Sequence, residues 1–283
     1  MKHKLFWSII IITAVVLIGL VILRSATIKQ KIEFLRLPSA TSSISQNENV
    51  ATSSVVSTKL FEYIKIIESC GVHYEGVCVN ARSGPGKNFP VVAKLRNNIV
   101  LKVEDKVEKD GKVWYKITFD EWLRYPERIS SDWYVAEDFV QLLKNEGVQQ
   151  LTRGLVATST KYIIVSRGEQ MLYAYDGDTL FMKEKISTGL ELTPTPRGTF
   201  IIYKKTPSRY MQGPIPGISE EIYDLPGVPW DLYFSSDGAV IHGAYWHNDF
   251  GKVHSNGCVN LPPMTAEKLY EWADLGMQVV VKD

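Results

Sequence analysis

The chain has 283 residues, with 32 Lys and Arg against 31 Asp and Glu and a formal net charge of +1. That balance leaves no basic excess for nucleic acid, and 45% hydrophobic residues with 11% aromatics exclude wholesale disorder. Three cysteines are too few for a disulfide scaffold, and their odd number leaves at least one thiol unpaired.

Leu5 to Leu23 is a run of 19 residues without a charge. At about 1.5 Å per residue, a helix of that length spans ~28 Å, the hydrocarbon thickness of a bilayer. The run is longer than the apolar region of a signal peptide, and no small-x-small cleavage site follows it. Residues 1–24 are therefore expected to be an uncleaved transmembrane helix. Lys2 and Lys4 precede it, whereas Arg24, Lys29, Lys31 and Arg36 follow it, so the local charge does not favour export. Long domains translocate largely regardless of charge, and the chemistry farther along belongs outside the membrane. The expectation is a single-pass protein of the cell membrane with its folded part on the extracytoplasmic side. From Ser39 to Thr58, ten of twenty residues are Ser or Thr and none is aromatic. Such a stretch cannot offset its ordering entropy. Residues 25–60 read as a flexible linker with a coil reach of roughly 30 Å.

From residue 61 to about 145 the pattern changes to short alternating strands. Phe61–Ile66, Cys78–Gly86 (a strand running into a turn), Pro90–Leu95, Val100–Glu108, Lys112–Phe119, Trp133–Ala136 and Phe139-Val140 form the set. Asp110-Gly111 is a strong hairpin signal between two of them. The reading is a small, strongly bent β-barrel with Trp114 and Trp133 in its core. Val79–Pro85, Lys112–Ile117 and Asp132–Val135 resemble the bacterial SH3-like domain, which implies targeting to cell-wall peptidoglycan; a spacer role stays open. Cys70 and Cys78, with seven residues between them, can form a disulfide in an oxidising exterior, worth roughly 2–3 kcal/mol by loop closure. Metal binding is the weaker alternative.

In residues 158–283 the β pattern resumes. Tyr162–Val165 reads as a buried strand, and Met171–Tyr175 with Thr179–Met182 as a hairpin around Gly177. Thr199–Ile202 follows a Pro-rich break. Residues 204–236 are rich in Pro, Gly and aromatics with little periodicity, and are expected to be a long functional connection that covers a site. Thr265–Leu275 has one helical face, with Gly276 as its cap and Val279–Val281 as the last strand.

The chemistry lies between Ile241 and Leu261. Three of the five histidines and the odd cysteine fall there. A free thiol is a few per cent thiolate at neutral pH, and a neighbouring imidazole can take its proton. Amides around Gly257-Cys258 can form an oxyanion hole, because glycine permits the tight turn. An inert buried thiol is the competing reading. Zinc held by His242, His247, His254 and Cys258 is a remoter one, since the spacing matches no familiar finger.

The run His242-Gly243 to Ser255-Asn256-Gly257-Cys258-Val259-Asn260 resembles the signature of L,D-transpeptidases, the YkuD-type catalytic domain. Thr188-Gly189 and Thr195–Phe200 match that domain's other recurrent segment. The resemblance implies a mostly β, sandwich-like fold with a short C-terminal helix, and a covalent thioester mechanism. It implies Cys258 as nucleophile, His242 as base and the Gly243 carbonyl as the group orienting the imidazole. It places Ser255, Asn256, Gly257 and Asn260 at the oxyanion hole or substrate. It also implies acylation of Cys258 by carbapenem-type β-lactams. The family commonly has His where this chain has Asn256, which cannot serve as a base; His254 reads as a site-wall residue. The implied function is acyl transfer from the third residue of a peptidoglycan stem peptide, releasing D-Ala, to an acceptor amine. No metal or nucleotide cofactor and no nucleic acid are expected; the partners are stem peptides and, through the N-terminal helix, the membrane. An L,D-carboxypeptidase with the same site and a non-catalytic peptidoglycan-binding protein stay open as alternatives.

Overall fold

The computed structural model describes residues 59–152 and 159–283. The expected membrane helix and residues 25–58 of the expected linker lie outside the described residues. Among the described residues, no helix is long and apolar enough to cross a membrane.

The first sheet has seven strands: β1 (Phe61–Ile66), β2 (Val79–Arg82), β3 (Val91–Leu95), β4 (Val100–Lys109), β5 (Lys112–Thr118), β6 (Trp133–Ala136) and β7 (Val140–Asn145). Their order is β3-β2-β6-β5-β4-β1-β7, and every neighbouring pair is antiparallel. The β4–β5 turn is the expected Asp110-Gly111, with φ of 54° and 72°. Two left-handed residues match the twist of the flanking strands, which is why Asp-Gly serves there. Trp114 and Trp133 are buried. Cys70 and Cys78 are disulfide-bonded.

A two-residue strand β8 (Gln149–Gln150) leads into two five-stranded sheets. One joins β9 (Lys161–Ser166), β10 (Met171–Asp176), β11 (Thr179–Lys185), β12 (Gly198–Ile201) and β17 (Gln278–Lys282). The other joins β8, β13 (Lys204–Gln212), β14 (Asp224–Tyr233), β15 (Val240–Gly243) and β16 (Val259–Leu261). Ile163, Leu172 and Val279 from the first and Leu232, Ile241 and Leu261 from the second share one core. That is a sandwich built by burying one face of each sheet.

Two expectations need correction. Residues 204–236 are not a single lid: β13 and β14 occupy most of them as a long antiparallel pair, leaving 213–223 as the connection. Seven consecutive residues of β14, Pro226–Leu232, are buried. A strand covered on both faces shows no alternation, so the period that would reveal it is absent. The helix α1 runs Pro263–Trp272 rather than Thr265–Leu275. Proline at its first turn fits because the missing N–H has no intrahelical partner anyway. Leu275 and Gly276 lie beyond it.

The two modules share their cores. Tyr63 and Val100 pack in the sandwich cluster, while Val228 and Tyr245 pack in the barrel cluster. Gly227 makes this approach possible. Its φ is +62°, and a Cβ there would stand 2.4 Å from the Val100 carbonyl oxygen. Lys65 of β1 pairs with Glu267 of α1 at 2.7 Å, largely buried. The Glu121 carboxylate accepts the Tyr210 amide at 2.6 Å, and Arg128 donates to the Gly213 carbonyl at 2.7 Å. These bonds fix β13 and β14, the strands beside the site.

Candidate active site

β15 ends in His242-Gly243, and β16 starts immediately after Cys258. The two strands pair in parallel, with His242 opposite Asn260 and Gly243 opposite Leu261. A parallel pair requires a crossover; residues 244–258 supply it and carry the remaining site groups. Gly243 is needed by space, since a Cβ would lie 2.9 Å from Pro229 Cγ and 3.0 Å from Pro263 Cα.

His242 is fully buried, and its Nδ1 lies 3.1 Å from the Gly243 carbonyl oxygen. A carbonyl can only accept, so Nδ1 carries the proton and Nε2 keeps a bare lone pair. Nε2 is buried without a hydrogen-bond partner. Burial pushes the imidazole down to about 4; the Gly243 bond opposes this, and Arg209 and His247 reinforce it. The ring is a neutral acceptor at pH 7.

Cys258 is the free cysteine and is half-buried. It lines the same cavity of about 280 Å³ as His242, with Asn256, Ser255 and Asn260. Burial pushes its thiol up, against the pull of the Arg209 guanidinium and the Val240 amide. Asp231, fully buried, adds to the upward push. The thiol and the imidazole are thus both neutral at pH 7.

The turn before Cys258 is held from inside. Ser255 Oγ donates to the Cys258 carbonyl at 2.6 Å and accepts the Gly257 N–H at 3.2 Å. Thr195 Oγ1 donates to the same carbonyl at 3.3 Å. Gly257 has φ +112°, where a side chain is strained although there is room for one. The Gly257 amide, expected in an oxyanion hole, is engaged within its own turn. Thr188-Gly189 braces this turn from the other side. The Thr188 carbonyl accepts the His254 and Ser255 amides at 3.0 and 3.1 Å, and Leu190 N–H donates to the Ser255 carbonyl at 2.9 Å. Ser187 and Asn260 exchange backbone bonds of 3.0 and 2.8 Å. The two distant sequence motifs are one hydrogen-bonded unit.

His247 has a structural place that the spacing did not reveal. It is buried, and its Nδ1 accepts the Asp249 amide at 3.2 Å. Nε2 therefore carries the proton, and the Asn260 side-chain amide lies 2.9 Å from it. Asn260 Nδ2 makes this contact and Oδ1 is buried without a partner; turning the amide over brings its oxygen to the Nε2–H and satisfies both groups. Burial and the neighbouring His254 push His247 down to about 4. His254 is exposed, lines the cavity and stacks on His247 at 3.9 Å. His247, Asp249 and His254 bring ligand-type atoms within 4.8 Å of one another. Both nitrogens of His247 are engaged, and of the three residues it is the one that touches Asn260. Arg96, Tyr223 and Trp246 also line the cavity; no local motif announces them, because the end of β3, the 213–223 connection and the crossover meet only in the fold.

Residues 160–281 match the family model described as the L,D-transpeptidase catalytic domain, and residues 76–122 match that of the bacterial SH3 domain. A Bacillus licheniformis protein assigned as the L,D-transpeptidase YkuD is 30% identical over 102 residues, 35% of this chain and 52% of that protein. The chain thus spans about half the length of this curated relative. Among solved structures, an Enterococcus faecium L,D-transpeptidase variant is 25% identical over 44% of this chain and 50% of its own, with a TM-score of 0.40. An L,D-transpeptidase from Mycobacterium smegmatis is 22% identical over 61% of this chain and 91% of its own, with a TM-score of 0.41. Residues 160–281 belong to the L,D-transpeptidase catalytic-domain family, and they follow a bacterial SH3 domain.

Proposed function

We propose that this chain is a membrane-anchored peptidoglycan L,D-transpeptidase. The observation that carries the reading is the bare, buried Nε2 of His242 in the same cavity as the free thiol of Cys258. In this reading Cys258 Sγ attacks the carbonyl carbon of the third stem-peptide residue, and its proton passes to His242 Nε2. The C–N bond to the terminal D-Ala breaks, and that proton leaves on the D-Ala amine. An acceptor amine then attacks the thioester, forms the new amide and returns a proton through His242 to the thiol. The Gly243 carbonyl holds the ring in the required tautomer. Met211, Leu225 and Trp246 give the cavity apolar walls, which favours aminolysis over hydrolysis.

The charge-free run Leu5–Leu23 supports tethering to the membrane with the sandwich on the extracytoplasmic side. The SH3 domain supports a wall location. The test is the product pattern from purified muropeptides. Dimers linked through the third donor residue, lost in Cys258→Ala, are the expected result. Trimmed monomers alone would identify an L,D-carboxypeptidase instead, and full cross-linking by Cys258→Ala would refute the assignment.

A further inference from the structure

Arg96 comes from the SH3-like module, just after β3, yet it lines the cavity that holds Cys258 and His242. Only 8% of it is exposed. Its guanidinium is clamped between two rings, 4.5 Å from the Tyr74 centroid and 4.9 Å from that of Tyr245. Nη1 donates to the Val72 carbonyl at 2.9 Å. Among the described residues, no carboxylate pairs with it. It is also the only Arg or Lys lining that cavity among the described residues.

A buried, unpaired guanidinium is costly, because removing a charge from water is offset only by a partner charge or full hydrogen bonding. The fork of an arginine carries five donors, and one carbonyl does not use them. The two rings pack 4.5 and 4.9 Å from the guanidinium carbon, and the Val72 carbonyl occupies one of its N–H donors. A planar fork of this kind fits a carboxylate through two parallel bonds. The clamp is built in advance. Val72 and Tyr74 both belong to the loop closed by Cys70 and Cys78, and Tyr245 Oη is itself tied to the Pro226 carbonyl at 2.7 Å.

We propose that Arg96 binds a carboxylate of the acyl donor, so that the SH3-like module supplies a substrate-binding residue to the sandwich's site. This rests on the transpeptidase reading for what the donor is. A stem tetrapeptide offers two such groups near the scissile bond, the C-terminal carboxylate of D-Ala and a carboxylate on the side chain of a diamino-diacid third residue. Both present the same chemistry to the fork.

The test uses the full chain in detergent with Cys258→Ala to prevent turnover. Calorimetry measures three synthetic tetrapeptides: the parent, its C-terminal carboxamide and its third-residue side-chain carboxamide. One amidation is expected to weaken binding by roughly 10- to 100-fold, the range of a lost charged hydrogen-bond pair, and which one does so identifies the carboxylate. Adding Arg96→Gln should erase that difference, and Arg96→Lys should keep part of it. A variant that loses its fold would weaken all three ligands equally, and the comparison with Arg96 intact does not depend on it. Equal binding of all three ligands with Arg96 intact, no binding of the parent, or a difference that survives Arg96→Gln in a folded protein would overturn the proposal. Failure of the transpeptidase reading shows separately, as absence of an acyl adduct on Cys258 when the unsubstituted chain meets the parent peptide.

Discussion

His242 stands opposite Asn260 in the parallel β15–β16 ladder, and Cys258 precedes Asn260 by two residues. Backbone register, not a mobile loop, thus brings the imidazole and the thiol to one cavity. Both groups are shifted toward their neutral forms by burial, the imidazole to about 4 and the thiol upward. The imidazole is depressed, so it is a competent base at every pH above about 4. The thiol is raised, so its thiolate grows in only on the alkaline side. Alkylation of Cys258 by iodoacetamide should therefore rise about tenfold per pH unit from 7 to 9 without a plateau. A plateau reached below pH 7 would mean a preformed thiolate–imidazolium pair.

Glu121 gives a pH signature of the opposite sign to that of a surface carboxylate. Burial raises it to about 7, against the Tyr210 amide and Arg209, which pull it down. Because the folded value exceeds the ordinary 4.5, the folded state holds the proton longer than the unfolded state. Its contribution to stability is complete below about 4.5 and is lost as pH rises through about 7. Glu121→Gln keeps an acceptor for the Tyr210 amide and cannot ionise. Its melting temperature should gain on the parent's steadily between pH 4.5 and 7; a constant gap over that window would contradict the burial of this group.

The seam between the modules can be tested by one methyl group. Gly227→Ala places a Cβ 2.4 Å from the Val100 carbonyl at φ +62°, whereas Gly217→Ala meets open space at φ +77°. Both carry the left-handed backbone cost of roughly 1–2 kcal/mol, and only the first adds an overpacking cost of roughly 1–3 kcal/mol. Thermal denaturation should rank Gly227→Ala below Gly217→Ala by several degrees. Equal losses would mean that the two cores are not pressed together there.

The disulfide reaches the site through Arg96. Cys70–Cys78 closes the loop bearing Val72 and Tyr74, which hold the guanidinium. Reduction of the folded protein should raise KM for the donor carrying the recognised carboxylate and leave kcat nearly unchanged. Its carboxamide analogue should be unaffected. A fall in kcat alone, equal for both donors, would place the disulfide's effect elsewhere.

Much of this was legible beforehand because it is local. Asp110-Gly111 demands two left-handed residues, and His242-Gly243 with Ser255–Asn260 carries the site's chemistry in one stretch. What stayed hidden is what depends on burial from two sides or on distant contacts. β14 lost its alternation because both faces are covered, so a long strand read as a loop. Gly257 was placed by its turn, but its amide is held by Ser255, a partner that only the folded turn selects. Asn260 lines the cavity, and only the fold shows that its side chain also meets His247. Arg96 sits some 160 residues before Cys258, and no spacing rule links a barrel residue to a sandwich cavity.

The central claim is that Cys258 is acylated by a stem peptide with His242 as its base. The direct measurement is intact mass followed by peptide mapping after mixing the full chain with a tetrapeptide donor, with and without an acceptor amine. The account predicts an adduct on Cys258 equal to the donor minus D-Ala, discharged by the amine, absent in Cys258→Ala and strongly slowed in His242→Gln. An adduct on another residue, or none with a folded protein, would contradict it.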